Sequence, residues 1–186
     1  MEETDFSEIT VGQIAQAAMI NRSTFYRYFE DKYQLRDAVV DGIVTEFVDN
    51  LEVEFLDVDI EQEKEAYAKT LQNSLAQTYT RRRELEILWN QKLLGRNVFE
   101  EMIMEGARKL EQEILRHDTI SDSKKKFADW YARLLVNNML VTIRWWFSNS
   151  HLADARKVAE MMIRHMAAGT IPTLKSSGDD PKTFSR

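Results

Sequence analysis

The sequence predicts an all-α protein, and three observations support this prediction. Apolar residues recur at the 3.6-residue spacing of a helix, most clearly at Leu35, Val39, Ile43, Phe47 and Leu51. The 186 residues include only two prolines and six glycines, so few positions oppose helix formation. Hydrophobic residues make up 44% of the chain, which is enough for one core of moderate size or two smaller ones. We therefore expect packed helices and no sheet.

Residues 10–35 combine two short helical patterns with a tight turn between them. The residues placed to cap helices are Thr10, Asn21 and Asp31, the last of them followed by Gln34 as in a capping box. The second helix is predicted over residues 22–29, with Phe25, Tyr28 and Phe29 able to face inward. This arrangement predicts a helix-turn-helix head.

The predicted second helix carries groups suited to reading DNA. Hydroxyl, amide and guanidinium groups stand at its N-terminal end, at Asn21, Arg22, Ser23 and Thr24. Lys32 begins the next helix as a candidate phosphate contact. Although the net charge is −6, residues 10–36 hold four basic residues against two acidic ones. The alternative interpretation, in which this helix is simply core, leaves its polar face unexplained.

A helical body is predicted after the head. Acidic residues are dense between residues 41 and 65, which indicates a solvated face and a linker that bends within residues 56–60. The further predicted helices cover residues 60–80, residues 84–94 closed by Gly95, a segment capped by Asn97, residues 127–148 and residues 153–168. We expect a head in residues 1–40, a body in residues 41–170 and a polar, disordered tail in residues 171–186.

The composition argues against catalysis, cofactors and membranes. There is no cysteine, and His117, His151 and His165 are far apart, with no zinc signature, phosphate-binding glycine loop or nucleophile elbow. No run approaches the ~18 apolar residues that a membrane span needs. Residues 1–9 are acidic where a signal peptide would be basic. We expect a cytoplasmic protein that is not an enzyme, holds no cofactor or metal and does not bind membranes.

The run ITVGQIAQAAMINRSTFYRYFEDKYQL, residues 9–35, resembles the DNA-binding region of the TetR family of bacterial transcriptional regulators. The hallmarks are F..IT at the end of the first helix, IA..A in the second, and STFYRYF.DK..L. The resemblance implies an Ω-shaped, all-α homodimer that binds palindromic operator DNA and is controlled by a small-molecule effector, most often as a repressor. A shorter run, VTIRWWFSNS, is similar to the branch that includes regulators of dihydroxyacetone-kinase operons.

The resemblance also implies which positions act. The DNA-facing positions are Thr10, Arg22, Ser23, Thr24, Tyr26, Tyr28 and Lys32. The last two helices correspond to the pair that makes the dimer interface in this family, and residues 139–147 are apolar on nearly every side. The interface is therefore predicted at Leu140, Ile143, Trp145, Trp146, Phe147, Val158, Met161 and Met162.

An effector pocket is expected inside the body. Its candidate residues are Trp89, Phe99, Met102, Trp130, Leu134, Asn137 and Asn138. Aromatic and methionine side chains at this spacing also suit an ordinary core. The adjacent amides Asn137 and Asn138 are more specific, because amides within an apolar helix need a hydrogen-bonding partner. That partner could be a ligand, a second copy of the chain or a neighbouring carbonyl.

Two features depart from the family pattern. Met19 occupies the turn where the family usually has glycine, and a left-handed backbone there would cost methionine about 1 kcal/mol. The chain also begins inside the last turn of the family's first helix, so the helix that would cover Phe6, Ile14, Phe25 and Phe29 is expected to be largely absent. These departures support an alternative, a ligand-sensing dimeric co-regulator that has lost direct DNA binding.

Overall fold

The computed structural model of the protein describes residues 5–51, 56, 64–166 and 169, and every regular element in them is helical. The all-α prediction is confirmed. In chain order the elements are the 3-10 turn Phe6–Glu8 and helices α1 Val11–Ala17, α2 Arg22–Tyr26, α3 Lys32–Asp49, α4 Lys64–Thr80, α5 Arg82–Leu88, α6 Gln91–Leu94, α7 Val98–Arg116, α8 Asp122–Lys125, α9 Ala128–Ser148 and α10 Ala155–His165.

Contacts divide the chain into two compact units. Residues 1–50 and 83–102 form the first, and residues 51–82 and 103–186 form the second. The sequence predicts a head, a body and a tail, with boundaries after residues 40 and 170. These boundaries divide the chain by function and not by compactness, and they stay predictions. The proposed tail, residues 171–186, lies outside the described residues.

The predicted caps of the first three helices are confirmed. Thr10 Oγ1 accepts from the Gln13 backbone N–H at 3.2 Å, and Gln13 Oε1 accepts from the Thr10 N–H at 2.7 Å, completing a capping box. Asp31 Oδ1 accepts from the Gln34 N–H at 2.8 Å. The Gln34 side chain reaches the Glu30 N–H at 2.6 Å, one residue upstream of the position that a capping box requires.

The buried face of α3 differs from the predicted stripe. Val40 and Val44 are its buried residues, whereas Val39 is 48% exposed. The prediction is wrong at Val39 because Val39 and Val40 are only one residue apart. Helical periodicity alone does not determine whether the row of residues that contains Val39 or the row that contains Val40 faces the core.

The helix predicted over residues 84–94 is interrupted. Asn90, with φ −87° and ψ 90°, leaves the helical region and caps α6, accepting from the Leu93 N–H at 3.4 Å. Gly95 then ends α6 in the left-handed conformation, with φ 70°, as its position predicted. Asn97 caps α7 through the Glu100 N–H at 3.3 Å.

An arginine joins α3 to α7 within the first unit. Arg96 donates from Nη1 to Asp37 at 3.2 Å, from Nη2 to Asp41 at 2.9 Å, and from Nε and Nη2 to the two carboxylate oxygens of Glu101. Arg36 adds a hydrogen bond to Asp37 at 2.8 Å. Burial acts to raise the pKa of Asp37, but the hydrogen bonds from Arg36 and Arg96 outweigh it and hold that pKa below its ordinary value.

This cluster predicts a loss of stability in acid. Because the pKa of Asp37 is lower in the folded protein, its contribution is present above the ordinary value of 3.8 and is lost as pH falls through the folded value. Urea unfolding between pH 7 and pH 3 should therefore show a shallower acid loss for Asp37→Asn than for the wild type. Equal acid losses in the two proteins would contradict the assignment.

The core of the second unit is built on α9. Helix α4 packs against α10, and the buried residues of α9 include Val136, Leu140 and Ile143. The Trp146 ring lies 4.8 Å from the Tyr79 ring, centroid to centroid, and its Nε1 donates to the Ala153 carbonyl at 2.7 Å. Helix α10 begins at Ala155, two residues later than predicted.

Most of the predicted dimer-interface residues are buried inside their own chain. Of the eight, only Trp145 (42% exposed) and Met161 (44% exposed) are open to a partner. The side chains already buried within the chain are Leu140, Ile143, Trp146, Phe147, Val158 and Met162. These six side chains offer little surface to a second copy, so Trp145 and Met161 are the two predicted interface residues with substantial exposed area.

Candidate nucleic-acid interface

Lys32 fixes the N-terminal turn of the head. Its ammonium group donates to the carbonyls of Phe6, Ser7 and Ile9 at 2.9, 2.6 and 2.7 Å. It also lies 5.2 Å from the centre of the Tyr33 ring. An ammonium has three hydrogens and all three are used here, so the predicted phosphate contact of Lys32 is replaced by a structural role.

The core of the head is covered. Phe25 is 2% exposed and packs with Phe29 at 5.7 Å between ring centroids, and Ala15 is also buried. Phe6 lies edge-on to Tyr33 at 5.7 Å. The expectation that Phe25 lacks a covering partner is wrong, since the neighbouring elements bury it.

The turn between α1 and α2 has the strained backbone that was predicted. Met19 adopts φ 55°, and its side chain is 93% exposed. The Ile20 N–H donates to the Ala15 carbonyl at 2.9 Å across the turn. This geometry sets the direction in which α2 leaves α1.

Replacing Met19 with glycine should raise the free energy of unfolding by about 1 kcal/mol, because glycine adopts a positive φ without a Cβ clash. The exposed methionine side chain contributes little packing that could be lost. Thermal and urea unfolding measure the change, and Met19→Ala is the matched control because it keeps the Cβ. A gain of equal size in the alanine variant would contradict the backbone explanation.

Asn21 organises the N-terminal end of α2. Its Oδ1 accepts from the Thr24 N–H at 2.8 Å, the Thr24 hydroxyl at 2.9 Å and the Ser23 hydroxyl at 2.6 Å. A carbonyl oxygen has two lone pairs, so three donors compete for it. One hydroxyl can therefore turn towards another acceptor at little cost.

The outward face of α2 and the turn after it carry most of the predicted DNA contacts. Arg22 and Ser23 are exposed, Thr24 is half-buried, and Tyr26 and Tyr28 are 56% and 66% exposed. Helix α2 ends at Tyr26, three residues earlier than predicted, because the Tyr28 N–H donates to the Phe25 carbonyl and tightens the last turn. Thr10 is exposed at the start of α1.

Arg27 belongs to this surface although the predicted set omitted it. Its guanidinium lies 5.0 Å from the centre of the Tyr28 ring and donates to the Tyr28 hydroxyl at 3.3 Å. Its position between two exposed tyrosines was the available sequence signal. Arg22 and Arg27 give the exposed face of α2 a positive charge at both ends.

The predicted effector residues fall in both compact units. In the first unit, Trp89 and Met102 are buried and joined by an Nε1–sulfur contact of 3.3 Å, and Phe99 lies edge-on to Trp89 at 5.3 Å. In the second, Trp130 is 57% exposed and Asn137 is exposed. Trp130 and Asn137 therefore face outward and do not line an internal pocket.

Asn138 and half-buried Leu134 lie on α9, and Asn138 lines an open groove of about 330 Å³ beside α10. The amide of Asn138 is 3.4 Å from His165 Nε2, which supplies the partner that the sequence required. The remaining lining is rich in methionine and consists of Leu135, Met139, Thr142, Met161, Met162 and Met166.

Within the described residues, no helix is both long and apolar enough to cross a membrane.

A helix-turn-helix whose second helix exposes cationic and hydroxyl groups is an arrangement that DNA-binding regulators use. Residues 1–39 match the family described as bacterial regulatory proteins, tetR family. The resemblance of the N-terminal head to the TetR family is thereby confirmed, and the head has a TetR-type helix-turn-helix. No curated protein and no solved structure shows a significant match to the chain.

Proposed function

We propose that this protein is a TetR-type transcriptional regulator: a homodimeric, cytoplasmic repressor that binds a palindromic operator and is released by a small-molecule effector. The observation that carries the DNA-binding part is the exposed face of α2 with its supporting caps. Arg22, Ser23 and Thr24 stand at the N-terminal end of the helix, where base edges are reached. Tyr26 and Tyr28 follow these residues and are proposed to contact the DNA backbone.

Lys32 enters this proposal as a positioning residue. It ties the 3-10 turn to the start of α3 and so keeps the Thr10 cap in place beside α2. The phosphate contacts then fall to Thr10, Tyr26, Tyr28 and Arg27. Arg22 and the hydroxyl groups of Ser23 and Thr24 are then the groups that contact base edges.

The support for a dimer is an uncovered apolar face in the second unit. Leu134, Asn138, Val141 and Trp145 follow one another at helical spacing on α9, and Val141 and Trp145 are 47% and 42% exposed. Met161 on α10 is 44% exposed and lines the adjacent groove. A two-fold dimer through this face would bury apolar surface on both copies and set two recognition helices about 34 Å apart.

Effector control is supported by the resemblance and by the groove beside Asn138. Polar groups at Asn138, Thr142 and His165 stand among methionines there, a combination that suits a mainly apolar ligand with a few polar groups. An effector would act by favouring one spacing of the recognition helices over another.

The test is an unbiased selection of genomic DNA fragments by the full chain. We expect enrichment of a palindrome of roughly 10–20 bp, bound by a dimer with a steep dependence on salt. Sedimentation of the complex gives the number of chains for each duplex. If the folded protein enriches no sequence, direct DNA binding is refuted and the co-regulator alternative takes its place.

A further inference from the structure

Gly12, in the first turn of α1, lies directly beneath the Arg22 side chain. A Cβ built on Gly12 would lie 3.2 Å from both Cζ and Nε of Arg22 and would overlap its Nη2 atom. The guanidinium therefore occupies the space that any other residue at position 12 would fill. Within the described part of the chain, the Arg22 side chain makes no hydrogen bond or ion pair that would hold it there instead.

The backbone of α1 does not itself require this glycine. Gly12 has no positive φ, in contrast to Gly95, so an L-residue could adopt its conformation. Glycine within a helix is disfavoured relative to alanine because it loses more backbone freedom on folding. The missing side chain is needed for space and not for backbone conformation.

We propose that Gly12 is a positioning residue for Arg22: its bare Cα lets the guanidinium lie across α1, beside the N-terminal end of α2. Any Cβ at position 12 would exclude this conformation of the arginine side chain, so Arg22 would have to meet the operator from another position. Gly12 thereby contributes to operator recognition through Arg22. The inference rests on the proposed function, in which Arg22 contacts the operator.

Gly42 provides a matched control. It is a helical glycine of α3 in the same compact unit, and nothing lies within 4 Å of a Cβ built on it. Alanine at position 12 or position 42 should favour its helix, so neither variant should unfold more easily than the wild type. Only the change at position 12 should displace Arg22.

The experiment is a double-mutant cycle on the operator duplex obtained by the selection described above. Fluorescence anisotropy should give Gly12→Ala a loss of affinity of about 2- to 10-fold, the range expected when one side chain must be re-ordered on binding. Gly42→Ala should bind like the wild type. In the Arg22→Ala background, the change Gly12→Ala should have no further effect.

A second readout is independent of DNA. The Nε–Hε resonance of Arg22 in the free protein, assigned by its loss in Arg22→Ala, should shift in Gly12→Ala and stay in place in Gly42→Ala. An unshifted resonance, or an equal loss of affinity with and without Arg22, would overturn the positioning role. A wild-type protein that selects no DNA would refute the proposed function, whereas an operator bound equally well by Gly12→Ala would refute only this inference.

Discussion

Replacing Trp146 with alanine is expected to lower the free energy of unfolding by about 3–5 kcal/mol. Trp146 is 3% exposed, and its ring packs on Tyr79 with 4.8 Å between centroids. Truncation removes this packing and leaves a cavity in the core of the second unit. It also leaves the Ala153 carbonyl without the indole N–H that binds it at 2.7 Å, just before the start of α10.

Two further variants show how much of this loss of stability comes from core packing and how much from the indole hydrogen bond. Trp146→Phe keeps an aromatic ring but has no N–H, so it should cost less than alanine. Trp145→Ala is the control, because Trp145 is 42% exposed and its truncation removes little core packing. Urea unfolding followed by circular dichroism should be run at several protein concentrations, since the proposed dimerisation would add to the apparent stability.

The same pair of tryptophans tests the proposed dimer face. Trp145→Ala should weaken self-association in sedimentation velocity while leaving the unfolding of the dissociated chain nearly unchanged. An unaltered monomer–dimer equilibrium would remove Trp145 from the interface. If Trp146→Ala were no less stable than Trp145→Ala, the assignment of Trp146 to the core would fail.

Replacing Arg22 with alanine is expected to weaken specific operator binding by about 1–3 kcal/mol, roughly 5- to 150-fold, if its guanidinium reads a base edge. Arg22 is exposed at the first position of α2, and its fork of N–H donors can bind the two acceptors that guanine shows in the major groove. Competition with non-specific DNA should show that most of the loss lies in specificity.

Two controls determine what kind of contact Arg22 makes. Arg22→Lys keeps the charge but loses the planar fork, so it should recover non-specific binding better than specific binding. Arg133→Ala removes an exposed arginine of α9, which pairs with Asp129 at 2.7 Å, and should leave operator affinity unchanged. A loss that is uniform across sequences, with a salt slope reduced by about 1, would make Arg22 a phosphate contact. Unchanged operator affinity in Arg22→Ala would remove it from the site.

Several features of the head could be predicted from the sequence because their causes are local. The caps at Thr10, Asn21 and Asp31 depend on side chains that reach N–H groups only three residues away. The left-handed backbone at Met19 was expected from the resemblance, because the family usually has glycine at this turn. The exposed polar residues of α2 were also identified, since Phe25 fixes which side of that short helix faces inward.

The tertiary structure decided the features whose causes lie far apart in sequence. Lys32 was predicted to contact phosphate, but the carbonyls that bind it belong to residues more than twenty positions earlier. Gly12 became a candidate positioning residue only when Arg22 was placed above it.

The body shows most clearly that the local sequence does not determine which residues are buried. Residues 139–147 of α9 are apolar on nearly every side, so their sequence carries little periodic signal of which side is covered. The packing of Tyr79 and α10 buries Trp146 and leaves Trp145 exposed, although the two residues are adjacent and chemically identical. The sequence alone determined that the protein is helical and that it has a TetR-type DNA-binding head. Which apolar residues remain available to a partner or a ligand was decided by packing, because burial depends on neighbours that the local sequence does not contain.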